Sequence, residues 1–185
     1  MPTFDSDAFV AACVDALCES DPLAAMTEVV RRAVSAPERL QAACPVPLDP
    51  DDDGVLHRTD ALMVCHAIFP RRFHTGIHDH TVEAVIGVWA GFEDNHLYDR
   101  HGDVLRRRGV QRVECGDVIA LGADAIHDVH TPSSTWSAAL HVYLGDIVGL
   151  ERSEWAGADT PPVPLDGDEQ ERRWTEAAVA TGLIR

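Results

Sequence analysis

Apolar residues recur at three- and four-residue spacing through AFVAACVDALCE and again through DPLAAMTEVVRRAVSAPERLQAA. That is the period of helices burying one face. Asp5 or Ser6 stands where an N-cap belongs, since a short side-chain oxygen can accept from the first free backbone N–H groups. PVPLDPDDDG then brings three prolines and a run of aspartates, which breaks the helical pattern and marks a connection. From about Val55 the pattern changes to short apolar runs between turn signals: VLHRTD, ALMVCHAIF, EAVIGVWAGF, NHLYDRHGD, VQRVECGD, VIALGAD and AALHVYLGD. Such runs predict an all-β sandwich or barrel. After Gly149 a polar stretch leads into EQERRWTEAAVATGLI, a C-terminal helix whose apolar face would dock on the sheet. The expected organisation is one domain over 1–185, with a helical segment over 1–45, a barrel over 55–148 and an extension with a helix over 149–185.

Composition narrows the function. With 45% hydrophobic and 25% charged residues in 185, the chain has ordinary globular usage. Lys+Arg 15 against Asp+Glu 31 leaves a formal net charge of -16, which repels phosphate backbones and anionic membrane surfaces. Neither a nucleic acid nor a membrane is expected as a partner. No apolar run reaches spanning length, and MPTFDSDAF lacks a basic stretch followed by an apolar core, so the expectation is a cytoplasmic protein. The five cysteines, Cys13, Cys18, Cys44, Cys65 and Cys115, are odd in number and never spaced as CxxC. Neither a disulfide framework nor a thiolate zinc site is suggested.

The histidines carry more information. Of the ten, His66, His74, His78, His80, His127 and His130 fall in two short neighbourhoods. In a strand, His78 and His80 of IHDHT point to one face, so both imidazoles can converge on a point inside a barrel. His127, just past a turn-like GDVIALGADA, can supply a third ligand from a facing strand. Three neutral imidazoles suit a divalent transition metal such as iron, copper, nickel or zinc and leave positions open. Glu83 and His130 have the wrong parity for the same face, and only a bulge would bring Glu83 in. Taken alone, the HxH pair is equally consistent with two solvated or hydrogen-bonded histidines.

The stretch RFHTGIHDHTVEAVIGVWAG, Arg72 to Gly91, resembles the first cupin motif, and GDVIALGADAIHDVHT resembles the second. IHDHT, HDV at His127 to Val129 and LHVY at Leu140 to Tyr143 are similar, in order and spacing, to segments of the cysteine dioxygenase-like thiol dioxygenases. The resemblance implies a cupin double-stranded β-helix, a jelly-roll barrel with N-terminal helices and a C-terminal helix. It implies iron(II) held by His78, His80 and His127, and oxidation by O2 of a small thiol, of cysteine or mercaptocarboxylate type, to a sulfinate. His141 and Tyr143 would stand beside the metal, where a phenol can donate a hydrogen bond to oxygen or substrate. The family's carboxylate-binding arginine is matched most nearly by Arg58. Arg71 and Arg72 are alternative anion binders, and with Arg106, Arg107 and Arg108 they are candidates for a basic patch. Two departures stand out: Ala139 replaces the family's serine, and Glu83, Ala84 and Val85 occupy the region where animal members carry a crosslinking cysteine. Cupin barrels associate through edge strands, so the resemblance also allows a homodimer. The other readings are a metal-dependent cupin acting on a non-thiol substrate and a cupin pocket that binds a small molecule or metal without turnover.

Overall fold

The computed structural model describes residues 3–44, 46, 53–131 and 134–184. Apart from Val46, Asp53 and Gly54, the proline- and aspartate-rich connection lies outside them.

Three helices open the chain: α1 (Ser6–Ala16), α2 (Pro22–Val34) and α3 (Pro37–Ala43). The side chain of Asp5 accepts from the Ala8 amide and that of Asp21 from the Ala24 amide, both at 3.0 Å. Each satisfies a donor that the first helical turn leaves free. Pro22 and Pro37 start their helices where no amide hydrogen is needed.

Among the described residues eleven strands follow: β1 (Val55–Thr59), β2 (Leu62–Phe69), β3 (Ile77–Asp79), β4 (Ala84–Ala90), β5 (Phe92–His101), β6 (Val104–Glu114), β7 (Val118–Leu121), β8 (Ile126–His130), β9 (Ser137–Tyr143), β10 (Ser153–Trp155) and β11 (Val163–Pro164). They form two sheets, ordered β1-β2-β9-β4-β7 and β11-β10-β3-β8-β5-β6. The antiparallel pairs β5·β6, β4·β7, β3·β8 and β2·β9 are nested one inside the next and alternate between the sheets. A long hairpin rolled into two facing sheets is a jelly roll. This is the double-stranded β-helix expected from the sequence, with helices added at both ends.

Alternation along the strands decides what each sheet buries. In β4, Val85 and Trp89 face the helices, while Ala84, Ile86 and Val88 face the barrel interior. In β9, Ala138, Leu140 and Val142 face the helices, and Ala139 and Tyr143 face inward. Met26, Val29, Val30 and Val34 of α2 supply the opposing surface. At Gly87 a Cβ would lie 2.4 Å from Val30 Cγ1 and 2.9 Å from Val34 Cγ1, so the helix rests on the backbone itself. Trp89 packs in this layer beside Trp136, whereas Phe92 is only half-buried and carries the Arg112 guanidinium over its ring at 4.2 Å.

The C-terminal helix, α4 (Gly167–Thr181), is capped by Asp166, whose side chain accepts from the Glu169 amide at 3.1 Å. It ends at Gly182 in the left-handed conformation, φ 73°. Ala178, Leu183 and Trp174 dock it, and Trp174 Nε1 donates to the Ile68 carbonyl at 2.8 Å. The segment after 148 also adds β10 and β11 to the second sheet, with Glu154 directly opposite His78. Among the described residues no helix is long and apolar enough to cross a membrane.

A carboxyl group is buried in the barrel away from the histidines. Glu93 on β5 is fully buried and accepts from the Ser137 hydroxyl at 2.9 Å. Burial raises its pKa from 4.5 to about 7, against the opposing effect of the Ser137 hydrogen bond. The folded state therefore holds the proton more tightly than the unfolded chain. The stabilisation this brings is complete below the unfolded pKa and is lost as pH rises through about 7. Glu93→Gln is expected to gain stability relative to the parent between about pH 5 and about pH 8, by up to about 3 kcal/mol in denaturant unfolding. A difference that is flat with pH would contradict this.

Candidate metal centre

β3 is only three residues long, and its pairing with β8 sets His78 directly opposite His127. His80 follows one residue past the strand, on the same side as His78 because the period is two. Thr81 then takes φ 59°, a conformation a β-branched residue rarely adopts, and turns the chain away at once. All three imidazoles are buried, with relative exposures of 8%, 2% and 1% for His78, His80 and His127.

Their nitrogens are sorted by hydrogen bonds. His78 Nδ1 donates to the Gly76 carbonyl at 3.0 Å, and Gly76 needs its positive φ of 85° to present it. His127 Nδ1 donates to Asn95 Oδ1 at 3.0 Å, from the adjacent strand β5. Those partners fix the tautomers, leaving a lone pair on each Nε2. Both point at His80 Nε2, 3.2 Å from each. His80 Nδ1 is buried without a partner among the described residues. Burial lowers the pKa of all three, and for His80 and His127 the neighbouring imidazoles add to the effect. They are neutral at physiological pH, the state in which imidazole binds metal.

Donors bound at 2.0–2.1 Å stand about 3.0 Å apart on an octahedral face and about 3.3 Å apart on a tetrahedral edge. The observed 3.2 Å spacings suit a single divalent transition ion bound by three nitrogens, with its remaining positions open to the barrel interior. The donor set fits a metal centre, and three imidazoles alone do not select which metal.

These histidines line a cavity of about 550 Å³. Its apolar wall includes Phe69, Phe73, Ile86 and Val129, and α4 closes one side with Gly167, Gln170 and Trp174. His141 and Tyr143, two apart on β9, both face the cavity, with His141 Nδ1 and the Tyr143 hydroxyl 2.9 Å apart. The Tyr143 ring meets His80 edge-on at a centroid distance of 5.2 Å. Burial lowers the His141 pKa to about 4 and raises that of Tyr143, so the pair is a neutral imidazole and a phenol. His141 Nε2 has no partner among the described residues. Whichever way the shared proton points, one free donor remains, either the Nε2–H or the phenolic O–H.

The arginine expected in the pocket needs correction. Arg58 does not line the cavity: it lies on the edge strand β1, paired with both carboxylate oxygens of Asp146 at 2.8 and 3.0 Å. Arg71, Arg72, Arg106, Arg107 and Arg108 do not line it either. The cavity's guanidiniums are Arg152 and Arg173. Arg152 Nε is buried with no hydrogen-bond partner among the described residues, and burial lowers its pKa while Tyr143 and Asp79 act the other way. Arg173 is drawn toward Glu154 and Glu169, at 3.8 and 3.9 Å. Cys65 also lines the cavity, and burial raises its pKa to about 12, so it is a thiol there. Glu83 lies in the loop before β4, and His130 is on the outer face, as its parity requires.

No protein-family model matches the chain, and no curated protein matches its sequence. Solved structures similar to it include a double-stranded β-helix protein from Klebsiella pneumoniae, 12% identical over 60% of this chain and 86% of that one, with a TM-score of 0.46. An RmlC-like cupin from Methanocaldococcus jannaschii is 12% identical over 55% of this chain and 89% of its own, with a TM-score of 0.42. An oxalate decarboxylase variant from Bacillus subtilis is 14% identical over 48% of this chain and 22% of its own, with a TM-score of 0.41. None of them bears on the activity of this chain.

Replacing His78, His80 or His127 with Ala is expected to abolish stoichiometric metal at this centre. Asn95→Leu, which removes only the acceptor behind His127, is expected to weaken metal binding on the order of tenfold to a hundredfold. Equilibrium dialysis with metal analysis measures both, and unchanged affinity in Asn95→Leu would show that it does not orient a ligand.

Proposed function

We propose that the chain is a mononuclear non-heme iron(II) dioxygenase that oxidises a small carboxylate-bearing thiol to a sulfinate, R–SH + O2 → R–SO2H. One observation carries the reading. Three neutral imidazoles, a phenol–imidazole pair and a guanidinium with an unpartnered Nε line a single cavity. The order of the motifs, IHDHT, HDV and LHVY, supports it from the sequence.

Iron(II), when bound by His78, His80 and His127, supplies the redox chemistry that lets O2 react with a thiolate. The rest is the work of the chain. Arg152, half-buried with its Nε enclosed, meets the substrate carboxylate with a partly desolvated charge, which strengthens a charge-assisted hydrogen bond. Anchored at that end, the sulfur is held toward the imidazoles, so orientation replaces a chance encounter. The free donor of the His141–Tyr143 pair supports negative charge developing on oxygen without taking on charge itself, because neither group titrates near neutral pH. Phe69, Phe73 and Trp174 keep water from the reacting atoms. The alanine at 139, where the similar family has a serine, favours a second reading: a non-thiol substrate at the same centre.

Oxygen uptake by protein loaded anaerobically with one equivalent of iron(II) tests the reaction. One O2 consumed per thiol lost, with sulfinate as product and no uptake by His127→Ala, is the expected result. Thiol-independent uptake, or none with iron bound, would move the assignment to the non-thiol reading. Tyr143→Phe is expected to keep its iron and lose about a hundredfold in kcat.

The carboxylate contact is separable. Arg152→Gln is expected to raise KM for 3-mercaptopropionate about tenfold or more while leaving KM for cysteamine, which has no carboxylate, unchanged. Arg58→Ala is expected to change neither. Equal effects of Arg152→Gln on both thiols would remove it from carboxylate binding.

A further inference from the structure

A second group of histidines occupies the outer face of the same sheet. Asp128 is the neighbour of His127 on β8, so its side chain leaves the opposite face of the strand. It is nevertheless only 3% exposed, because three imidazoles and a phenol cover it. His96 Nδ1 lies 2.9 Å from Asp128 Oδ1, His130 Nε2 lies 3.2 Å from the same oxygen, and His74 Nε2 lies 3.4 Å from Oδ2. The Tyr98 hydroxyl donates to Oδ2 at 2.8 Å.

Sheet register builds this arrangement. His96 sits directly across from Asp128 on β5, His130 is two residues along on β8, and His74 bridges to His130 from the loop before β3. Ring centroids are 4.1 Å apart for His74 and His130 and 4.3 Å for His96 and His130. Asp128 Oδ1 has no hydrogen-bond partner among the described residues although two imidazole nitrogens lie within 3.2 Å of it, so hydrogen bonding does not account for the cluster, and tilted rings at that spacing cannot all be cationic without repulsion. The ligand atoms of His74, Asp128 and His130 all lie within 4.8 Å of one another. His130 Nε2 lies 3.2 Å from Oδ1 and His74 Nε2 3.4 Å from Oδ2, so each imidazole approaches a different carboxylate oxygen at close to the edge of about 3.3 Å between neighbouring donors on an ion with bonds of 2.0–2.1 Å.

We infer that His74, Asp128 and His130, with His96 beside them, form a second metal site on the outer face of the barrel, selective for a borderline divalent ion such as zinc. Imidazole nitrogens with one carboxylate oxygen are a donor set that zinc, cobalt(II), nickel(II) and copper(II) favour and that calcium and magnesium do not. His74 and His130 have side chains 46% and 42% exposed, so an ion reaches them from solvent, while the buried carboxylate supplies the charge. Tyr98 keeps its proton, with its pKa raised to about 12 by burial and by Asp128. It therefore orients the carboxylate rather than competing as a ligand. The neighbouring Arg112 is engaged by Asp94 through two hydrogen bonds, at 2.7 and 2.9 Å, which keeps its charge off the site. The net charge of -16 further favours cations.

The site stands apart from the catalytic reading and is tested apart from it. Equilibrium dialysis against zinc is run on the parent, on a His78→Ala/His127→Ala variant and on a His74→Gln/His130→Gln variant. The parent is expected to hold two equivalents and each double variant one. In the lumen variant, the zinc that remains is expected to raise the melting temperature. Substituting the exposed His74 and His130 leaves the core intact, and circular dichroism confirms folding. An outer-face variant that keeps the same zinc equivalents as the parent overturns the inference. So does a folded lumen variant that binds no zinc.

Discussion

The register between β3 and β8 governs both faces of the second sheet. Because side chains alternate strictly, setting His78 opposite His127 directs His127 into the barrel and leaves Asp128 and His130 outside. A slip of one residue would exchange them, placing a carboxylate and a different imidazole in the lumen. The nested hairpin pairing holds the register from both sides, with β5 on one flank of β8 and β10 on the far flank of β3.

The two sheets face different neighbours, and chemistry follows from that difference. The first buries an apolar outer face beneath α1, α2 and α3. It can therefore place His141 and Tyr143 inward on β9 without exposing any polar edge. The second has solvent on its outer face, so polar residues there are unremarkable one at a time, and only their convergence on Asp128 is unusual. The lumen histidines stay neutral because burial opposes protonation. The Nε2 atoms of His78 and His127, each 3.2 Å from that of His80, then present lone pairs that a single cation can bridge.

Much of this was legible in the sequence, for identifiable reasons. The helical and strand periods are long enough to read in α1, α2, β4 and β9. The HxH spacing and the parity rule together selected His78, His80 and His127 and set His130 on the other face. The arginine was not legible. Arg58 sits on a clear strand, but its partner Asp146 lies far along the chain. Arg152 reaches the cavity because the three-residue strand β10 pairs with β3, and so short a strand has no alternation to read. Nor does a helical stripe reveal that α4 will wall the cavity as well as dock on the barrel. The outer cluster draws His74, His96 and His130 from separate segments, and only sheet register joins them.

In the proposed function, one iron held by three imidazoles keeps positions open for a thiol sulfur. The X-ray absorption spectrum at the iron edge, taken with one equivalent of iron(II) and then with saturating thiol under anaerobic conditions, tests it most directly. The expected result is a shell with three imidazole nitrogens that gains one sulfur scatterer when thiol is added, and a Tyr143→Phe variant that behaves the same way. A nitrogen and oxygen shell left unchanged by thiol would contradict it.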